Sequence, residues 1–359
     1  MFATVRSKIC MFFVVIGLLL QACSSPPTTT PPQAQDQPQT EPEASAPATT
    51  ERTTVKVVSL PYISFAPFYI AYEEGYFEAQ GLDVELIEMT NQQDIVPALA
   101  SGQVDVSSGL LSVGILNTIA KGAKIQIVAD KGYIDPNGCP NIALVAQRDF
   151  AAGGDVEDPD YLRGATFAQL RATWLDYYSE KLFETVGLEV DDFELTELPV
   201  AAQPEALDQG TIDLITQNEP WVTRFAQAGH KPILTPVQDL LPNSQSAVTL
   251  FGPSLLGENA DVGNRFMVAY LHAVQQYNEG KTDRNVEIMA KYIQLDPELI
   301  REMCWPALRD DGHLNVESVL DFQNWAIEKK FMEQPVTAEQ FWNGRFVEYA
   351  SEQLEIANR

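Results

Sequence analysis

The segment Tyr72-Glu73-Glu74-Gly75-Tyr76-Phe77-Glu78-Ala79-Gln80-Gly81-Leu82-Asp83-Val84 returns 106 residues later as Tyr178-Ser179-Glu180-Lys181-Leu182-Phe183-Glu184-Thr185-Val186-Gly187-Leu188-Glu189-Val190. A second pair, Ala98-Leu99-Ala100-Ser101-Gly102-Gln103-Val104-Asp105 and Ala206-Leu207-Asp208-Gln209-Gly210-Thr211-Ile212-Asp213, recurs at an offset of 108. Units this long do not stack as a solenoid, so the chain is predicted to hold two similar lobes side by side. Val55–Leu60, Leu82–Met89, Val104–Ser107, Ile125–Ala129 and Ile142–Ala146 are short and rich in β-branched residues, the pattern of strands. Between them Pro67–Phe77, Asp94–Ala100 and Val113–Lys121 read as helices, several closed by a glycine able to take a left-handed cap: Gly81, Gly102, Gly122. This alternation predicts an α/β fold in which each lobe is a mostly parallel sheet flanked by helices, with ligands at the carboxyl ends of the strands. From Gly257 the pattern is helical, as in Phe266–Tyr277 and Val316–Phe331, and Trp305, Trp325 and Trp342 are expected in the core.

Ahead of the lobes lies an address. Arg6 and Lys8 precede the apolar run Ile9–Leu20, which suits a secretory signal and is too short to span a bilayer. Leu20-Gln21-Ala22-Cys23 resembles the lipobox of bacterial lipoproteins, whose Cys thiol receives a diacylglycerol; the alternative is a plain signal peptide with an incidental Cys. Residues 24–52 carry seven prolines and no aromatic, Ile, Leu or Val residue, so they are expected to form a disordered Pro/Thr/Gln-rich tether. The expected organisation is a lipoprotein signal peptide over 1–22, the lipidated Cys and tether over 23–53, a first lobe with helical tail over 54–147 plus 248–359, and a second lobe over 148–247.

Composition narrows the function. With 50 acidic against 23 basic residues the net charge is −27, and removing Arg6 and Lys8 takes the mature chain to −29, so nucleic acid is not an expected partner. Four cysteines exclude a disulfide scaffold, and three histidines, His230, His272 and His313, leave little for a metal site. No metal or other cofactor is expected. No nucleophile elbow, zinc motif or phosphate loop occurs; Gly109-Leu110-Leu111-Ser112-Val113-Gly114 lacks the one-residue spacing of a hydrolase elbow, and an enzyme is the weaker class.

Pro67-Phe68-Tyr69-Ile70-Ala71 with Glu74-Gly75-Tyr76-Phe77, Gly81-Leu82-Asp83-Val84, and Ala98-Leu99 with Gly102-Gln103-Val104-Asp105 resemble the start of the substrate-binding proteins of ABC importers for sulfonates, taurine, nitrate and thiamine-type pyrimidines. Asp213 with Glu219-Pro220-Trp221 and Gly229 is similar to that family's second-lobe signature. The family includes binders of hydroxymethylpyrimidine-like compounds and of riboflavin, and an enzymatic fungal pyrimidine-synthase branch whose Cys-rich iron motif has no counterpart here. The resemblance implies the two-lobed periplasmic-binding-protein fold of type II, with a helical C-terminal extension. It also implies a small-molecule ligand, ABC permease and ATPase subunits as partners, and a lipid-anchored place on the extracytoplasmic face of the cell membrane. Extended crossings, expected near Val145–Asp149 and Ser246–Gly252, would act as hinges around a ligand held between the lobes.

Strand ends nominate the cleft residues. Tyr62 and Phe65 come after the first strand and either stack a flat ring or cover the core edge. Ser108 and Gly109 are expected to precede a helix whose free N–H groups face a polar ligand atom. Tyr133, Gln169, Trp174, Asn218, Glu219 and Trp221 complete the set. Trp174 fits core at helical spacing somewhat better than ligand contact, and Glu219-Pro220 a helix start. Lys131 and Arg171 are read as solvated surface in preference to anion clamps. This aromatic and amide inventory favours a flat, largely uncharged heteroaromatic vitamin or precursor, riboflavin or a thiamine-type pyrimidine, over a small oxyanion such as taurine, a sulfonate or nitrate. Cys139 and Cys304 stay open between a bridge and two free thiols.

Overall fold

The ten strands are β1 Thr53–Ser59, β2 Leu82–Glu88, β3 Val106–Leu110, β4 Gln126–Tyr133, β5 Ile142–Ala146, β6 Thr166–Ala168, β7 Glu194–Thr196, β8 Leu214–Asn218, β9 Lys231–Ile233 and β10 Gln245–Phe251. They come from a computed structural model that describes residues 52–89, 92–198 and 202–357; the expected signal, Cys23 and tether lie outside the described residues. The strands form two separate sheets, ordered β2-β1-β3-β10-β4 and β7-β6-β8-β5-β9. In each, the first three strands run parallel and the fourth is antiparallel to its neighbours. The repeated segments therefore build equivalent halves. Tyr72 and Tyr178 sit on helices Ala66–Glu73 and Trp174–Thr185, and Gly81 and Gly187 come next with φ of +67° and +73°, a region glycine enters without steric cost.

The halves diverge after that glycine. Leu82-Asp83-Val84 opens β2 directly, whereas Val190–Asp192 makes a short 3-10 turn and β7 begins only at Glu194.

The expected crossings and lobe limits need correction. Ile142–Ala146 is buried on both faces and pairs with β8 and β9, so it belongs to the second sheet and not to residues 54–147 of the first lobe. Gln245–Phe251, placed near the second hinge, is instead the buried antiparallel strand between β3 and β4. The crossings are residues 134–141 and 234–244. A strand buried on both faces reads the same in either sheet, and an antiparallel strand arriving from the other lobe leaves no mark in the local pattern.

The tail completes the first lobe. Helix Ala260–Asn278 packs Phe266 and Tyr270 against Phe68, with ring centroids 6.4 and 4.9 Å apart. Asp130, 1% exposed, accepts hydrogen bonds from the Arg309 and Gly132 amides at 2.8 and 3.0 Å, and the Arg309 guanidinium lies 3.5 Å away. Burial nevertheless pushes the Asp130 carboxyl above its usual range, Arg309 and the two amides opposing it. A disulfide joins Cys139 in the first crossing to Cys304 in the tail, with Cα atoms 5.7 Å apart. Trp325 is buried as expected, while Trp305 and Trp342 are half-buried.

Arg309→Met strands a buried carboxylate and is expected to lower unfolding stability by about 3 kcal/mol in a urea titration. Lys181→Met, which removes the exposed pair with Glu184, should change it by less than about 1 kcal/mol.

Candidate functional site

A cavity of about 480 Å³ lies between the two sheets. Lobe one contributes Tyr62, Ser64 and Phe65 beyond β1, Ser107 to Leu110 of β3, Lys131 and Gly132 of β4, and the first turn of helix Val113–Ala120; lobe two contributes Leu170 to Thr173, Gln217 and Asn218. Of the residues nominated from the sequence, Tyr62, Phe65, Ser108, Gly109 and Asn218 meet at this cavity.

Ser108 and Gly109 do so in another role than expected. Both are inside β3, opposite Thr249 and Val248 of β10, and the helix begins only at Val113 with Ser112 as its N-cap. The Ser108 hydroxyl donates to the Val248 carbonyl at 3.2 Å. Gly109 leaves open space: a Cβ built there meets no atom within 4 Å.

The other five stand away from the cavity lining, each for a visible reason. Tyr133 lies under the Arg309 guanidinium, 4.0 Å from its ring centroid. Trp174 is fully buried, stacks on Tyr178 and donates its indole N–H to Ser244 at 3.1 Å, so the core alternative holds. Gln169 is turned to Asp176, donating from its amide. Glu219 accepts from the Thr223 hydroxyl and amide and from the Cys304 amide, at 2.7, 3.1 and 3.2 Å. It thus caps helix Trp221–Gln227 and ties it to the tail; the Glu219–Pro220 bond is cis, and Pro220 is the N-cap rather than the first helical residue. Trp221 carries the Arg224 guanidinium 4.7 Å from its ring and packs on Phe225.

Lys131 overturns its reading as surface. It is 2% exposed, its Nζ donates to Ser64 Oγ at 2.8 Å, and it sits 3.9 Å from the Phe65 ring centroid, a cation–π distance. Burial pushes its amine down to about 7, the neighbouring Asp130 opposing that shift. The signal in the sequence is its place in the run Gln126–Tyr133, whose interior residues are all buried. Arg171 is also pinned, 3.3 Å from Asp176 and 5.2 Å from the Phe331 ring. Asp176 itself is buried, which raises its carboxyl to about 6 against the pull of the Ala172 amide and Arg171.

The polar lining is mixed in sense. Ser246, Thr118 and Thr173 donate their hydroxyls to the carbonyls of Gly132, Gly114 and Leu170, at 2.9, 2.7 and 2.7 Å, which leaves oxygen lone pairs as what they offer. Donors come from Lys131, from Ser64, whose oxygen is occupied by Lys131, and from the Asn218 side-chain amide. Tyr62 supplies an aromatic side chain to the lining; Phe65 borders it too, but its ring is buried and carries Lys131 Nζ 3.9 Å from its centroid.

The profile of the NMT1/THI5-like family matches residues 62–279. The riboflavin-binding protein RibY of Chloroflexus aurantiacus is 34% identical over 88 residues, 24% of each chain. The bicarbonate-binding protein CmpA of Synechococcus is 24% identical over 219 residues, 54% of this chain and 48% of its own. The chain thus spans about a quarter and about half of the lengths of these two curated relatives. The ligand-binding component of an ABC-type import system from Staphylococcus aureus, solved with zinc bound, superposes with a TM-score of 0.70 at 18% identity, over 83% of this chain and 99% of that one. The nitrate-binding protein NrtA of Synechocystis gives 0.70 at 15% identity, over 85% and 90%. These structural likenesses establish the periplasmic-binding-protein fold.

Because the folded-state amine of Lys131 lies below its ordinary 10.5, its contribution to stability is complete above that value and is lost as pH falls to about 7. Lys131→Met should therefore raise the thermal unfolding temperature of the ligand-free protein, and the gain should shrink steadily between about pH 7 and about pH 10. A gain that grows with pH over that range contradicts the assignment.

Proposed function

Since the chain belongs to the NMT1/THI5-like family, we propose that it is the substrate-binding component of an ABC importer, capturing a small solute between its lobes for delivery to a membrane permease and its ATPase. In this reading the protein works outside the cytoplasm, held to the membrane through a lipid on Cys23, and its role is capture rather than catalysis. The lobes rotate about residues 134–141 and 234–244, and a solute favours closure to the extent that it touches both at once.

The solute we favour is a flat heteroaromatic compound of vitamin or precursor type, riboflavin or a thiamine-type pyrimidine. The observation that carries this is the mixed polar lining of a cavity that Tyr62 also borders. Hydroxyls that have already donated to backbone offer acceptors, Asn218 and Lys131 offer donors, and a heterocycle presents both kinds of edge atom. A cavity of about 480 Å³ also suits a ring system better than a small oxyanion. A carbonyl or deprotonated ring nitrogen would lie toward Lys131, where a partly charged amine donates strongly. The second reading, a small oxyanion, is favoured by one observation, the presence of both Lys131 and Arg171 in the lining. Against it, Arg171 is already engaged by Asp176.

Titration calorimetry with riboflavin, hydroxymethylpyrimidine, taurine and nitrate separates the two. We expect a ring compound to bind, with Phe65→Ala or Tyr62→Ala costing about 1 kcal/mol, roughly a five- to tenfold loss. Gly109→Phe should abolish binding while leaving the unfolding transition in place, because the added side chain enters open space. Heat with taurine or nitrate and none with either ring compound would reverse the choice.

A further inference from the structure

Two helices wall the cavity with their first turns, Val113–Ala120 from lobe one and Trp174–Thr185 from lobe two. The first backbone N–H of a helix has no partner within it and must find one elsewhere. Here each finds it in the opposite lobe: the Val113 amide donates to the Ala172 carbonyl at 3.0 Å, and the Trp174 amide to the Leu111 carbonyl at 2.9 Å. Between them Ser112 and Thr173 face each other as an antiparallel bridge. Ser112, Ala172 and Thr173 are also lining residues of the cavity.

Ala172 occupies the left-handed region at φ +57°, an unfavourable place for a residue with a Cβ. Its conformation is held by Asp176, in the first turn of the helix, whose carboxylate accepts from the Ala172 amide at 2.7 Å and also engages Gln169 and Arg171. The groups facing that carboxylate across the packing are Glu180 on its own helix and Lys329 from the tail.

We infer that the two helices are capped in trans, each by the other lobe, with Asp176 as the positioning residue that presents Ala172 and Thr173 for this clasp. The inference rests on the binding role proposed above and deepens it: a solute lying against Ser112, Ala172 and Thr173 acts on the atoms that hold the lobes together, so occupancy and closure are coupled at one point. Opening the clasp exposes two helix ends at once, which makes its two hydrogen bonds form and break together.

Amide exchange in the full chain tests this without a ligand. Val113→Pro removes one donor and puts a ring where the carbonyl of Ala172 sits. The helix tolerates it, since Pro suits the first helical position and Ser112 already has the extended φ of −141° and ψ of 152° that precedes Pro. Exchange at the Trp174 amide, in the other lobe, should speed up at least about tenfold. Unchanged exchange there overturns the clasp. Asp176→Ala should have the same effect, and Asp176→Asn, whose side-chain oxygen still accepts from Ala172, should restore part of the protection; equal loss in both variants overturns the positioning role. Riboflavin, hydroxymethylpyrimidine and taurine serve as binding probes. For any that binds the wild type, Val113→Pro should weaken affinity about tenfold, mainly through faster release, and an unchanged affinity overturns the coupling. Failure of every probe to bind the wild type counts against the proposed ligand classes, while the exchange result still decides the clasp.

Discussion

Each sheet is completed by a strand that reaches it straight from a crossing. β5 arrives in the second sheet after residues 134–141, and β10 returns to the first after residues 234–244. Both are buried on both faces, so neither lobe can close its core until the chain has crossed and come back. With that covalent interleaving, residues at the carboxyl ends of β1, β3, β6 and β8 line one cavity. The site is a result of topology before any side chain is chosen.

Within that frame the cavity sets stability against recognition. A lysine with almost no access to water is costly, and the 3.9 Å approach to Phe65 with one hydroxyl partner offsets only part of the cost. The fold tolerates it beside Asp130, a second buried charge that is itself held by Arg309, Gln245 and two backbone amides. Asp130 anchors the tail to the sheet through Arg309, while its neighbour Lys131 lines the cavity.

Much of this is legible in the chain. The repeat of Tyr72–Val84 at Tyr178–Val190 points to twin sheets, because a helix, a glycine and a following Leu-acid-Val keep their spacing in both copies. Tyr62, Phe65 and Asn218, nominated from their positions at the carboxyl ends of strands, line the cavity. Local pattern fails where a partner distant in sequence decides the outcome. Ile142–Ala146 falls to the wrong lobe because its register comes from β8 and β9. Ser108 and Gly109 resemble a helix start because the pairing with β10, some 140 residues away, is what extends β3 to Leu110. Gln169, Glu219 and Trp174 are absent from the cavity lining because each is held by another residue, Asp176, Cys304 or Ser244, whose proximity no spacing announces. Lys131 escapes a reading that expects lysines at the surface, which burial beneath Phe65 overrides.

The bridge between Cys139 and Cys304 spans 165 residues of sequence and leaves from the first crossing to end in the tail. The entire second sheet is threaded on the loop it closes. A single peptide cleavage anywhere along that loop, even on the most accessible turn of the second lobe, would leave both fragments riveted together, as a chain fastened end to end survives the parting of one link.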